Sequence, residues 1–309
     1  ETRKDLIFKK DFDIASNPEF LREGSAIEDF MRPDRVVCGI NTENAKSLFS
    51  ELYRPLNLRE APILFTDIES AELIKYSSNA FLAMKISFIN EIADLCEKVG
   101  GDVKLVAKGM GLDNRIGSKF LHPGPGFGGS CFPKDSRALL ATFIDNNIEP
   151  RLVKAVVDYN ESRKLRMVEV IENAIGENIK GKKIAFLGIT FKPNTDDIRE
   201  SPSLVIIPKL LNKGALINAY DPALNINIEN TSEFKNVLWC KSIDEAVKDS
   251  DALVVHTEWN EFRGLDLASL KNKMKKTILI DLRNIFKKDI MNAIGIDYTG
   301  IGFKLERSE

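Results

Sequence analysis

Apolar positions set two different rhythms along the chain. Over residues 1–66 they come in short runs: 11–16, 36–40 and 63–66 read as strands, and 42–53 has helical spacing through Ala45, Leu48, Phe49 and Leu52. This β-β-α-β fragment is too small for an independent α/β domain. A nucleotide-binding half with a glycine fingerprint is the piece expected ahead of it. Glu1 rather than methionine opens the chain, which is accordingly expected to enter a fold already under way.

Residues 68–99 follow almost without breakers. Ala71, Leu73, Ile74, Phe81, Leu82, Met84, Ile86, Phe88, Ile89, Ile92 and Leu95 cover more than one narrow stripe. A long helix buried on several sides is expected, in a core or at a subunit interface. Gly100 and Gly101 end it, 103–109 reads as a shorter helix, a glycine- and proline-rich loop occupies 122–130, and a helix covers 133–145. From residue 182 strands at 183–188, 216–220, 252–257 and 277–281 alternate with helices at 203–213, 243–248 and 265–274. That alternation predicts a doubly wound parallel domain. The fold class expected is α/β, in three parts: a remnant of an N-terminal Rossmann domain (1–66), a central long-helix region (67–160) and a C-terminal doubly wound parallel α/β domain (161–309). The first turn of the last part, Gly188-Ile189-Thr190-Phe191-Lys192, is not a dinucleotide fingerprint. A nucleotide can still sit at the carboxyl ends of its strands.

Charge narrows the partners. Lysine plus arginine (44) nearly balances aspartate plus glutamate (46), so nothing suggests nucleic acid. The longest apolar runs, such as 204–207, fall far short of the ~18 residues a spanning helix needs, and residues 1–10 are too charged for a signal peptide. No membrane partner is expected. Cys38, Cys96, Cys131 and Cys240 are scattered without CxxC pairing, which suits free thiols in a reducing cytoplasm, and no metal site is expected.

Four constellations could carry chemistry. In Gly126-Phe127-Gly128-Gly129-Ser130-Cys131-Phe132-Pro133-Lys134-Asp135 the glycines allow a tight approach to a ligand, and Pro133 suits the first turn of the next helix. Cys131 would stand beside a positive helix end and near Lys134, a setting that favours a nucleophilic thiolate over an inert buried cysteine. In residues 16–24, Asn17 caps, Pro18 starts and Gly24 stops a single helical turn, placing Glu19 and Glu23 on one face. They are either an acid–base pair or ordinary dipole-compensating glutamates. Lys75 and Asn79 share a face of the long helix, as an oxyanion or proton site or as a snorkelling surface pair. The loop holding Lys192, Asp196, Asp197, Arg199 and Glu200 could meet phosphates or be a solvated charged loop.

At these residues the sequence resembles the UDP-glucose and GDP-mannose dehydrogenase family, and within it the UDP-glucose 6-dehydrogenases. The likeness is carried by Pro18–Gly24 with Pro33-Asp34-Arg35-Val36, by residues 75–79 continuing into Ala80-Phe81-Leu82-Ala83, by Arg115-Ile116-Gly117, by the ten-residue cysteine motif, and by Phe191-Lys192 with residues 197–202. The resemblance implies a four-electron oxidation of the C6 alcohol of UDP-glucose by NAD. In it Cys131 captures the aldehyde as a thiohemiacetal and becomes a thioester. Lys75 and Asn79, with Asp135, handle the proton and oxyanion of the alcohol step and hold a water. Glu19 is the base for thioester hydrolysis. Glu23 lies between sugar and cofactor, with Phe20, Leu21 and Arg22 in the same sugar-binding segment. Phe120, Leu121, His122, Pro123, Gly124 and Gly128 cradle the nucleotide sugar, Lys192 and Arg283 contact it, and Lys134 and Arg199 touch NAD. Arg115 reaches in from a partner subunit of a homodimer or higher oligomer. The same chemistry on UDP-N-acetylglucosamine or GDP-mannose, or a non-catalytic sugar-nucleotide-binding module, are the competing readings.

Overall fold

The structure, a computed structural model, describes residues 7–8, 11–57, 61–176, 178–223 and 234–303. It forms two compact units, Glu1–Ala80 and Phe81–Glu309.

The first unit is built on a parallel strand pair. Helix α1 (Ala26–Met31) precedes β1 (Val36–Gly39); α2 (Glu43–Leu52) and α3 (Arg54–Asn57) lead to β2 (Ile63–Thr66), and α4 (Ile68–Val99) begins here. β1 and β2 pair from Val36↔Ile63 to Gly39↔Thr66. Val36, Cys38 and Leu56 form its core with Phe49, Tyr53, Ile63 and Phe65 packed around them. Thr42 caps α2 by accepting the Ala45 N–H at 3.2 Å.

Two expectations fail in this unit. Residues 11–16 are not a strand; they make only two isolated bridges, Phe12 to Phe8 and Ser16 to Gly39. Phe12 and Ile14, the apolar half of the alternation, are exposed, so no surface rewards pairing there. Residues 17–22 are not a helical turn either. Asn17 sends its amide to the Val37 carbonyl at 2.7 Å and accepts from the Tyr53 hydroxyl, so the side chain that should cap a helix is tied to β1 and α2 instead. A long-range bond outcompetes the local cap.

The second unit holds residues 81–99 of α4, then α5 (Val103–Gly111), α6 (Phe132–Asp145) and α7 (Arg151–Ile175), ahead of a six-stranded sheet. Its elements are β3 (Lys183–Leu187), α8 (Ser203–Asn212), β4 (Leu216–Tyr220), β5 (Val237–Trp239), α9 (Ile243–Val247), β6 (Ala252–Val255), α10 (Asn260–Arg263), α11 (Leu267–Lys271), β7 (Ile278–Asp281), α12 (Lys288–Ala293) and β8 (Asp297–Gly300). All strand pairs are parallel, in the order β5-β4-β3-β6-β7-β8. The order reverses between β3 and β6, the switch point at which doubly wound sheets bind ligands. Alternate residues feed opposite faces. Ile184, Phe186, Val254 and Ile280 face α4, α7 and α8, whereas Ala185, Leu187, Val255 and Leu279 face α9 to α12. Each fully buried Ile, Leu or Phe here stabilises the fold by about 1.5–3 kcal/mol.

The sequence pattern does not reveal α7. Its buried stripe is Val156, Asn160, Arg163, Lys164, Met167, Val168, Ile171 and Ile175, a regular helical period in which three of the eight members are polar.

Candidate active site

Cys131 is the N-cap of α6, with Pro133 in the first turn as expected. The Asp135 N–H closes that turn on the Cys131 carbonyl at 2.8 Å, and the buried Asp135 carboxylate lies 3.5 Å from the exposed Lys134 ammonium. Ser130 Oγ is 3.6 Å from the Cys131 sulfur. Phe132 is flanked by Phe120 and Phe127, with ring centres 5.9 and 6.1 Å away. Cys131 is half-buried, while Cys38 and Cys96 are fully buried. Burial pushes the Cys38 and Cys240 thiols up to about 11, and burial reinforced by Asp102 and Glu97 raises Cys96.

The loop before Cys131 is not an exposed flap. Leu121 and residues 123–129 are buried, and only His122 faces solvent. A Cβ on Gly128 would lie 2.5 Å from the Glu200 carbonyl oxygen, and one on Gly129 2.6 Å from the Phe191 ring. The Gly129 N–H donates to the Arg199 carbonyl at 2.8 Å, and Arg283 Nη1 is 3.2 Å from where a Gly124 Cβ would stand. At Gly128 the neighbour is backbone, and at Gly129 it is an aromatic ring face beside a φ of 83°, so a side chain is excluded at both. The loop thus packs on the first βα turn of the six-stranded sheet and on Arg283, which bonds the carbonyls of His256 (2.8 Å) and Phe191 (3.0 Å) and pairs with Glu258. Lys192 Nζ stands 5.3 Å from the Phe191 ring centre, and Arg199 pairs with Asp197. Gly124, Gly126 and Gly129 have the spacing of a dinucleotide turn, which the sequence reading passed over. No strand precedes them, and the N–H groups of Gly124 and Gly129 are already bonded within the protein, so they do not form one.

Residues 189–192 follow β3, and their conformation rests on Asp221, at the end of β4. Its carboxylate accepts from Ile189 N (2.7 Å), Thr190 N and Thr190 Oγ1 (both 3.1 Å). In dinucleotide domains an acid near this place takes a ribose; here it is spent on the turn itself. Asp221, the buried His256, and Asn90, Asn160 and Arg163 behind the glycine loop adjoin the candidate site, and sequence reasoning missed them. The signal available was a polar residue on an otherwise apolar helix or strand end.

In the first unit, Lys75 and Glu19 form one pair, which neither constellation foretold. Lys75 Nζ is 2.9 Å from the Glu19 carboxylate and also bonds the Glu19 carbonyl. The lysine side chain is largely buried and turns inward, so it is not a snorkelling surface group. Phe20 lies under Lys75 and Arg35, at 5.5 and 3.9 Å. The Leu21 N–H donates to Glu19, and Arg22 is bound to Asp29. Asn79 is buried. Because residues 17–22 are not helical, Glu19 and Glu23 do not share a helix face. Arg115, in the second unit, is exposed and pairs with Asp113, while Lys85 of α4 holds the following carbonyls of Ile116 and Gly117. Among the described residues no group of three His, Cys, Asp or Glu side chains could hold a metal ion, and no helix is long and apolar enough to cross a membrane.

Three family profiles match the chain, all of the UDP-glucose/GDP-mannose dehydrogenase family: its NAD binding domain over residues 1–57, its central domain over 69–162 and its UDP binding domain over 185–288. The UDP-glucose 6-dehydrogenase of Rhizobium meliloti (strain 1021) is 53% identical over 295 residues, which cover 94% of this chain and 67% of that protein. A UDP-glucose dehydrogenase from the hyperthermophilic archaeon Pyrobaculum islandicum superposes with a TM-score of 0.82 at 35% identity, over 93% of this chain and 62% of its own. The UDP-D-ManNAc dehydrogenase of Pyrococcus horikoshii gives 0.83 at 27% identity, over 97% and 67%. The chain spans about two thirds of the length of these relatives.

Proposed function

Because the chain belongs to the UDP-glucose/GDP-mannose dehydrogenase family, we propose that it carries the catalytic and sugar-nucleotide-binding parts of an enzyme that oxidises UDP-glucose to UDP-glucuronate. The observation that carries this reading is the placement of Cys131. It caps α6 at the end of a glycine loop that packs on the turn holding Lys192 and on Arg283, both at the carboxyl edge of the sheet. In that reading residues 67–160 are the catalytic part, 161–309 the sugar-nucleotide part and 1–66 belong to the cofactor part.

The reaction removes two hydrides and adds one water. The C6 alcohol loses a hydride and a proton to become an aldehyde. The Cys131 sulfur adds to the aldehyde carbon, forming a thiohemiacetal, and loss of the second hydride together with the hydroxyl proton leaves a thioester. Water then displaces the thiolate and the acid ionises. Lys75, Asn79 and Asp135 manage the alcohol proton and the oxyanions. Glu19, already bonded to Lys75, is the base that activates the hydrolytic water. Phe120, Leu121, His122, Pro123, Gly124 and Gly128 hold the sugar nucleotide, with Lys192 and Arg283 opposite its diphosphate.

When bound, NAD supplies the hydride acceptor. Lys134 and Arg199 suit its anionic diphosphate, since both side chains reach solvent, and Glu23 lies between sugar and cofactor. The chain further pairs with a second copy through α4, to which Arg115 lends its exposed guanidinium.

Thiol labelling tests the reading. At pH 7.5 the other three cysteines hold little thiolate, so iodoacetamide is expected to modify Cys131 first. UDP-glucose should slow that modification several-fold while an equal concentration of ATP does not. Where the wild-type protein reduces NAD, Cys131→Ser should lower turnover by several orders of magnitude. Labelling of Cys131 that is indifferent to UDP-glucose would sink the assignment.

A further inference from the structure

Three buried polar side chains outside the cysteine motif hold the glycine loop from behind. Asn90 of α4 is 1% exposed, and its Oδ1 accepts the Gly124 N–H at 2.8 Å. Arg163 of α7, also 1% exposed, donates from Nε to the Gly124 carbonyl at 3.0 Å and pairs through Nη1 with Asp94 of α4. Asn160 of α7, 3% exposed, uses both ends of its amide on one residue: Oδ1 accepts the Phe127 N–H at 2.8 Å and Nδ2 donates to the Phe127 carbonyl at 3.1 Å. Four bonds therefore end on residues 124 and 127. They bracket Gly126, whose φ of 114° no other residue adopts readily and whose added Cβ would lie 2.9 Å from Asn160 Oδ1.

We propose that Asn90, Asn160 and Arg163 are positioning residues for the sugar nucleotide, fixing residues 124–127 in the conformation that receives it. This inference rests on the reading that the loop cradles that ligand. Packing alone does not call for these side chains. Asn160 and Arg163 stand on the same stripe as Val156, Met167 and Ile171, where apolar residues would bury at lower cost. Arg163 Nη2 is buried with no hydrogen-bond partner among the described residues, a debt to stability rather than a gain. The four bonds instead give an irregular segment the backbone partners that a strand neighbour would supply. They also reference its position to two helices. The opposite side of the loop lies against Glu200, Phe191 and Arg283 with no room to spare, so a shift of about 1 Å would carry Gly124 and Gly128 out of register with the diphosphate-facing groups.

Calorimetric titration of this chain with UDP-glucose tests the inference. Asn160→Ser cannot reach both ends of residue 127 and is expected to weaken binding tenfold or more. Ile171→Val, on the same helix but remote from the loop, supplies the control: it should lower the melting temperature yet bind as wild type does. Asn90→Ala removes a single bond and carries the same expectation if Asn160→Ser fails to fold. Wild-type affinity in a folded loop variant, or an equal loss in the Ile171→Val control, overturns the positioning role. A wild-type chain that does not bind UDP-glucose overturns the functional reading itself, and this inference with it.

Discussion

The proton on His256 follows from its neighbour. Thr257 Oγ1 spends its only hydrogen on the Thr190 carbonyl at 2.6 Å, so its 3.0 Å contact with His256 Nδ1 requires that Nδ1 be the donor. Nε2 is then a bare acceptor, buried and without a hydrogen-bond partner among the described residues. Burial above all, and then the Arg283 charge, holds this imidazole well below its ordinary pKa. The unfolded chain takes up a proton below about pH 6.5 that the folded chain refuses. Stability is thus expected to fall as pH drops through that range, by up to ~1.4 kcal/mol per pH unit. Urea midpoints at pH 7.5, 6.5 and 5.5 should show the decline, and His256→Gln should flatten it. His122, the other histidine, is exposed, so the difference between the two proteins reports on His256. Parallel pH profiles would contradict the neutral assignment.

Among the elements, the glycine loop and the turn after β3 depend on each other. Adding a methyl at Gly128 brings it against the backbone of Glu200 (2.5 Å to the carbonyl oxygen, 2.9 Å to its carbon), and a backbone cannot swing aside like a side-chain tip. Gly128→Ala is expected to cost about 1–3 kcal/mol in chemical denaturation and to weaken UDP-glucose binding. Gly109, inside α5, has nothing within 4 Å of an added Cβ. Gly109→Ala should leave binding unchanged and raise stability by roughly 0.5–1 kcal/mol. Equal effects from the two substitutions would show that the loop and the turn are not in the contact described. Helix α7 joins the same assembly, bonding the loop through Asn160 and Arg163 while its apolar residues pack on the sheet.

At the scale of the whole molecule, α4 carries an uncovered apolar stripe. Phe81, Phe88 and Leu95, seven residues apart, are 57%, 46% and 55% exposed. A seven-residue repeat of exposed apolar side chains supplies one of the two seam positions along which two copies of a helix can pack. A two-fold dimer through α4 is therefore expected, and sedimentation of the chain at micromolar concentration checks it. Phe88→Glu should shift the population to monomer, with circular dichroism reporting whether the fold survives. A wild-type chain that sediments cleanly as a monomer would rule out this pairing.

Much of the plan is written in local sequence. The buried strands β3, β6 and β7, the stop at Gly100 and Gly101, and the proline start of α6 each follow from residues within one or two turns of chain. Those signals specify a parallel α/β domain and place Cys131 at a helix end. The ten-residue cysteine motif adds the family. What the sequence did not disclose are bonds between distant positions: Lys75 with Glu19, 56 residues apart, and Asn160 with Phe127, 33 apart. Asn17 reads locally as a helix cap, yet its side chain is claimed by Val37 and Tyr53, and the helical turn it should begin never forms. Helix α7 escapes notice because three polar residues interrupt its apolar period, and two of them, Asn160 and Arg163, are the ones that reach the loop. Periodicity records only whether a face is buried. A buried polar residue breaks that record, and its partner is chosen by whichever backbone the finished fold leaves unsatisfied beside it.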